Sequence, residues 1–335
     1  MKLRAQNDYY GLPRIRIGGM MMLDSKPFIV VDRRKFLAAA AGFVAAGLMP
    51  KSVLALAGPY SFKQGTVDVT VISDGHLVLP IDVFAPDAPP EARKALFTAA
   101  GVTGNEVQAP TNVTLIKSGA DLILFDNGSG TEFQPTAGKL IEHMKLAGID
   151  LGAITKVVFT HAHPDHIWAT VGAGGALNFP NAAYYCAAAE WDFWMGKDIL
   201  TQMPKEMHPF VLGAQKHLNG VKDRVTMVKP GDDIVSGIRV LETFGHTPGH
   251  VSFEVAGDGG LIIVGDAIGL PIIYFPHPEW RLAFDAIHDL AIANRKKLLD
   301  RAATDKTKLL GFHWPYPGVG HAERKDSAYQ YVAAV

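Results

Sequence analysis

Cysteine is nearly missing. Cys186 is the only one in the chain, which excludes an intrachain disulfide and any cysteine-built zinc site. It sits in "AAYYCAAAE" and is expected to be a small buried apolar residue. Neither charge sign is in excess: the formal net charge is −1, with no long run of Lys and Arg, so no nucleic-acid surface is expected. Long apolar runs are missing too; none reaches the ~20 residues that a spanning helix needs. After Gly58 there is no low-complexity linker and no repeat of fixed period. What remains is ordinary globular composition, 48% hydrophobic over 335 residues, ample for a large core. With cysteine excluded, any bound metal must be held by carboxylates and by some of the 13 histidines.

The first segment reads as an address. Arg33 and Arg34 form a twin-arginine pair, and an alanine-rich apolar stretch runs from there to Met49. "ALA" at residues 55–57 offers the small residues that a signal peptidase needs. Residues 1–57 are thus expected to be a Tat signal peptide and leader, cleaved after Ala57 and handled by the Tat export machinery. The destination is periplasmic or secreted. Pro50 and Lys51 break the apolar stretch too early for a stable membrane span. Met20, Met21 and Met22 offer alternative starts. The Tat route carries folded proteins, so a tightly held metal can be loaded before export.

Residues 58–335 read as one domain of interleaved strands and helices. "TVDVTVISDG" alternates as a strand should and is expected to turn at Asp74-Gly75. "NVTLIKSGADLILFDNG" and "VSFEVAGDGGLIIVGDA" read as hairpins, "ITKVVFT" as a buried strand, and "AAYYCAAAEWDFWMG" as a strand and then a helix. "VTMVKPGDDIVSGIRVLETFG" reads as two strands around turn residues, and "TKLLGFHWPYPG" as a final strand and loop. "TAGKLIEHMKLAGI" and "DAIHDLAIANRKKLLDRAA" read as helices. The sum is an α/β sandwich, two sheets face to face with helices outside.

Ligand chemistry crowds into "THAHPDHIWAT", residues 160–170, directly after an apolar strand. Histidines at i and i+2 on a turn leaving a strand can converge on one cation. Pro164 stops the strand, so Asp165 and His166 can face a second cation beside the first. Neutral imidazole and carboxylate suit zinc, with bonds of ~2.0–2.2 Å. Two cations need more donors, and His246, Asp266 and His313 each follow an apolar strand downstream.

These residues resemble the metallo-β-lactamase superfamily, whose motif is H-x-H-x-D-H followed by a distant His, Asp and His. The resemblance runs from Thr66 onward and includes "ISDG", "LFDNG" and "HTPGH". It implies the αββα sandwich with two mixed sheets, and a dinuclear centre loaded with two Zn2+ or other divalent ions. His161, His163 and His246 would hold one ion, Asp165, His166 and His313 the other, and Asp266 would bridge. Within the superfamily the chain is most similar to methyl parathion hydrolase and secreted lactonase-like enzymes, on "VISDGHLVLPIDV", "FPNAAYYCAAAEWDFW" and "WPYPGVGH". That subgroup implies pocket aromatics at Phe133, Trp194 and Phe210, and a homodimer.

Two departures stand out. Ile167, Trp168 and Ala169 follow the motif where the subgroup carries two glycines, so Trp168 is expected to narrow or reshape the pocket. Asn127 replaces the commoner residue of "VDTG". His250 and His321 are candidates for holding ligands or substrate through a ring nitrogen. The aromatic loop "LPIIYFPHPEWRLAFD" is expected to wall the pocket, with His277 not a ligand.

The implied activity is hydrolysis of an ester, lactone or phosphotriester with apolar or aromatic groups by a metal-bridging hydroxide. Asp165 would orient that nucleophile or pass its proton to the leaving group. The partner is thus a small-molecule substrate. The alternatives are a β-lactamase, a glyoxalase-type thioesterase, and a non-catalytic metal-binding member. A flavodiiron protein would carry Glu at the place of His163. A nucleic-acid-processing member would carry a large inserted domain and a basic surface.

Overall fold

The computed structural model describes residues 58–334, so the Tat leader read over residues 1–57 lies outside them. Among the described residues, fourteen strands form two sheets. The first holds β1 (Tyr60–Gln64), β2 (Val67–Pro80), β3 (Glu106–Ser118), β4 (Asp121–Phe125), β5 (Lys156–Val158), β6 (Ala183–Ala187) and β7 (Val225–Val228), in that spatial order. The second holds β8 (Asp233–Val235), β9 (Ile238–Glu242), β10 (Val251–Val255), β11 (Leu261–Gly265), β12 (Lys308–Gly311), β13 (Val319–Lys325) and β14 (Ala328–Ala333), again in order. Both sheets are mixed. β4 to β7 run parallel to one another, as do β11 and β12, and the other pairs are antiparallel.

The two-residue period of the strands sorts side chains into layers. Ile123, Phe125 and Val158 of the first sheet meet Phe253, Leu261 and Ile263 of the second in a core between the sheets. Their neighbours Leu124 and Val157 turn the other way, onto Met144, Val211 and Leu218 of the helices Leu140–Leu146 and His208–Val221. Ile262 and Val264 likewise turn outward onto Leu298, Leu299 and Ala302 of the helix His288–Asp305. Strands covered on both faces carry unbroken apolar runs, as in "LIIVG". This is the αββα sandwich that the sequence implies.

Several elements differ from the sequence reading. β2 does not turn at Asp74-Gly75; it runs on to Pro80 through a bulge between Ser73 and Gly75. Gly75 has φ +105°, and a Cβ there would stand 2.2 Å from the Thr136 carbonyl oxygen, so only glycine fits. Residues 225–245 hold three strands rather than two, because the chain leaves the first sheet after β7 and enters the second at β8. The last strand read from sequence, β12, is followed by the β13–β14 hairpin. Helices Pro90–Ala99 and His208–Val221 are additions.

Candidate metal centre

The parallel strands β4 and β5, and β11 and β12, end on one edge, where loops from both sheets gather. After β5 the chain reaches His161, and His163 opens the single helical turn Pro164–Ile167 with proline at its first position. That turn carries Asp165 and His166. His246 follows β9, Asp266 follows β11, and His313 follows β12.

The inward-facing atoms converge in groups. His163 Nδ1 lies 2.9 Å from His161 Nε2 and 3.0 Å from His246 Nε2. Asp165 Oδ2 lies 3.4 Å from His166 Nε2 and 3.2 Å from His313 Nε2. Asp266 stands between the groups: Oδ2 is 3.3 Å from both His246 Nε2 and His313 Nε2, and Oδ1 is 3.4 Å from His166 Nε2. A four-coordinate zinc with bonds of ~2.0–2.1 Å sets its ligand atoms ~3.3 Å apart, so the spacing fits. Asp165 Oδ2, His166 Nε2 and Asp266 Oδ1 are also buried without a hydrogen-bond partner. Orphaned donors and acceptors facing one another are costly, and a cation would satisfy them together. The residues fit a dinuclear site.

The charges point the same way. Burial holds the His161 imidazole well below its usual range and lowers His163 to about 3, so both stay neutral and free to coordinate. Burial opposes charge on His313 and His166 too, but the facing carboxylates win. Asp266 and Asp165 push His313 up to about 10, and Asp165, Asp266 and Asp126 raise His166 well above its usual value. Burial likewise works against the Asp165 and Asp266 carboxylates, and the facing histidines hold both well below the ordinary range. Protons thus occupy a place that a cation can take.

The far ring nitrogens are fixed by a second set of contacts. His166 Nδ1 meets Asp126 Oδ2 at 2.8 Å, and Asp126 also accepts from the Thr160 N–H and hydroxyl, each at 2.8 Å. His246 Nδ1 meets Asp285 Oδ1 at 2.9 Å, and His313 Nδ1 meets the Pro110 carbonyl at 2.9 Å. His250 accepts the Asp266 N–H on Nε2 at 3.0 Å, while its Nδ1 lies 2.9 Å from Thr243 Oγ1. Such contacts set tautomer and ring orientation. His321 lies on β13 opposite Val332 and belongs to none of the ligand groups.

The sequence reading missed Glu190. It is fully buried and accepts from the Ala162 N–H at 2.8 Å, the Thr247 hydroxyl at 2.5 Å and the Gly249 N–H at 3.1 Å. It therefore ties the motif turn to the loop that carries His246. Its only sequence signal is an acidic residue inside an apolar stretch. Asn127 braces the same turn: its amide lies 2.8 Å from Thr170 Oγ1 and 3.2 Å from the carbonyls of His166 and Ile167.

A cavity of about 790 Å³, counted with its open mouth, lies over the centre. His163, Asp165, His246, Asp266 and His313 line one side, and Leu77, Leu79, Phe84, Phe133, Met207 and Phe210 line the other. Leu282 and Phe284 of the aromatic loop complete that wall, while Tyr274 and Phe275 of the same loop are buried in the core. His277 stacks on Trp280 and is absent from the ligand groups.

Neither Trp168 nor Trp194 is among the residues that line this cavity. Trp194 is buried, its Nε1–H donating to Glu190 at 2.6 Å and its ring standing edge-on to His163. Trp168 sits behind the wall, edge-on to Phe133 and tight against Gly213, where a Cβ would stand 2.1 Å from the indole.

The chain matches a family model described as the metallo-beta-lactamase superfamily over residues 108–313. Among solved structures it is similar to AidC, a dizinc quorum-quenching lactonase in complex with the product N-hexanoyl-L-homoserine. The TM-score is 0.79 at 27% identity, covering 84% of this chain and 98% of that one. It is similar to the hydrolase AbOPH of the beta-lactamase superfamily, with TM-score 0.78 and 28% identity over 83% of this chain and 98% of that one. Among curated proteins it matches the uncharacterized protein YobT of Bacillus subtilis (strain 168), 27% identical over 152 residues. That match takes in 44% of this chain and 62% of YobT, less than two thirds of the relative's length.

Proposed function

We propose, for a chain that belongs to the metallo-beta-lactamase superfamily, that it is a dinuclear zinc hydrolase acting on neutral lactones, esters or phosphotriesters with an apolar arm. The reading rests on one observation: Asp266 stands within 3.4 Å of His166, His246 and His313 beside a cavity whose remaining lining, Gln134 apart, is mostly apolar. When bound, the two cations would supply Lewis acidity and a nucleophile drawn from water at neutral pH. The chain's own residues do the rest. Leu77, Phe84, Phe133, Phe210 and Phe284 take up the apolar arm and exclude water around the scissile group. Asp165 belongs to one candidate ligand group and also lines the cavity, placed to hold the proton of the attacking water and hand it to the leaving oxygen.

No lysine or arginine lines the cavity among the described residues. An anionic β-lactam or a glutathione thioester would find no lysine or arginine there, which weighs against both alternatives. The likeness to AidC favours an N-acyl homoserine lactone within the class. The test is a metal count on purified protein, followed by turnover assays on acyl homoserine lactones, aryl esters and phosphotriesters. Close to two metals per chain and turnover of a neutral substrate are expected. A fully loaded protein that is inactive across the panel would return the non-catalytic reading.

A further inference from the structure

Arg295 lies in the helix His288–Asp305 and is fully buried, as is its partner Asp285. A buried ion pair is weak evidence for stability, because apolar residues of equal volume often do as well. Its contacts suggest another role. Nη2 donates to Asp285 Oδ2 at 2.9 Å, Nη1 to the carbonyls of Trp280 at 2.7 Å and Pro278 at 3.2 Å, and Nε to the carbonyl of Ala267 at 3.3 Å. The ring of Tyr274 lies under the guanidinium, 4.3 Å away.

Each acceptor leads to the site by its own route. The other oxygen of Asp285 holds His246 Nδ1. Ala267 is the residue after Asp266. Pro278 and Trp280 begin the segment that puts Leu282 and Phe284 in the cavity wall. A planar fork with fixed donors can hold all of these at once, which a flexible ammonium cannot.

We propose that Arg295 is a positioning residue that locks the cavity wall at residues 278–284 to the His246 and Asp266 side of the metal centre. The kinetic part rests on the hydrolase reading; the metal and exchange parts do not.

Two variants separate the links. Arg295→Lys keeps the charge beside Asp285 and loses the fork. Asp285→Asn keeps the carbonyl contacts and weakens the hold on His246. Hydrogen exchange is read on metal-free protein, zinc affinity by chelator competition, and KM and kcat on the best substrate of the panel. Arg295→Lys should speed exchange at the Ala283 and Asp285 amides, which donate to Val83 and Leu282. It should raise KM more than it lowers kcat and leave zinc affinity near wild type. Asp285→Asn should weaken zinc by ~10–100-fold with wall exchange unchanged.

An Arg295→Lys protein that melts lower but keeps wild-type exchange and KM would overturn the proposal. So would an Asp285→Asn protein with wild-type zinc affinity or a loosened wall, and this second variant decides if the first does not fold. If no substrate of the panel is turned over, the hydrolase reading fails while exchange and zinc affinity still judge Arg295.

Discussion

His163 is the hinge of the first ligand group, its Nδ1 facing both His161 and His246. His163→Ala should lose one metal per chain and nearly all turnover while keeping the circular dichroism spectrum of the wild type; retained turnover would refute its assignment. A second expectation concerns pH. In the metal-free protein, His313 at about 10 and His166, also raised, bind protons more tightly than in the unfolded chain. Their contribution to stability is therefore complete below the unfolded value of about 6.5 and fades as pH climbs toward about 10. The melting temperature of chelated protein should fall across that window, and zinc binding there should release protons, measurable by calorimetry in buffers of different ionisation heat. The candidate ligands stood out in the sequence because residue type and close spacing both carry the chemistry. Glu190, Asp285 and Arg295 were not, because each meets its partners only through the fold: Glu190 and Gly249 are 59 positions apart. In a linear reading they are plain helix or loop charges.

Strands were more legible than helices. Apolar runs such as "LIIVG" declare burial on both faces, whereas "HPFVLGAQKHLNGV" contains a proline and two glycines that weaken any intrinsic helix signal. That helix forms because Val211, Ala214, Leu218 and Val221 recur at helical spacing and pack on the first sheet. Gly213 within it makes room for Trp168, and this pair sets how close the helix comes to the motif turn. Gly213→Ala should cost about 1–3 kcal/mol in denaturant unfolding, the usual penalty for overpacking, and Trp168→Phe in the same chain should recover part of it. An unchanged midpoint would show that the contact is slack. The bulge in β2 was hidden for a related reason. Asp74-Gly75 is a turn pair by composition, but Asp74 accepts the Ser129, Gly138 and Leu140 amides, and β2 continues to bring Leu77 and Leu79 to the cavity.

At the scale of the molecule, each sheet is a continuous stretch of chain, and the proposed ligands divide between them. His161, His163, Asp165 and His166 follow a strand of the first sheet; His246, Asp266 and His313 follow strands of the second. Bound cations would thus clamp the two halves. Free zinc at a thousand times its dissociation constant should add about 4 kcal/mol of stability, so chelation should lower the melting temperature by several degrees. No shift on chelation would count against a clamp. The sandwich was legible from strand order, whereas the exchange between sheets after β7 was not, since it follows from packing alone. The Tat leader at Arg33-Arg34 remains a proposal about address. Replacing both arginines with lysine should keep the protein in the cytoplasm in cell fractionation, and unchanged export would reject it.

The division of ligands has a consequence for how the protein is made. A ribosome delivers the first four donors well before the rest, and they have no complete cage until the strand ahead of His313 has joined its sheet. Assembly of the proposed centre would therefore wait until His313 has been made and β12 has paired, and a product truncated between the two sheets would carry only part of the candidate donor set.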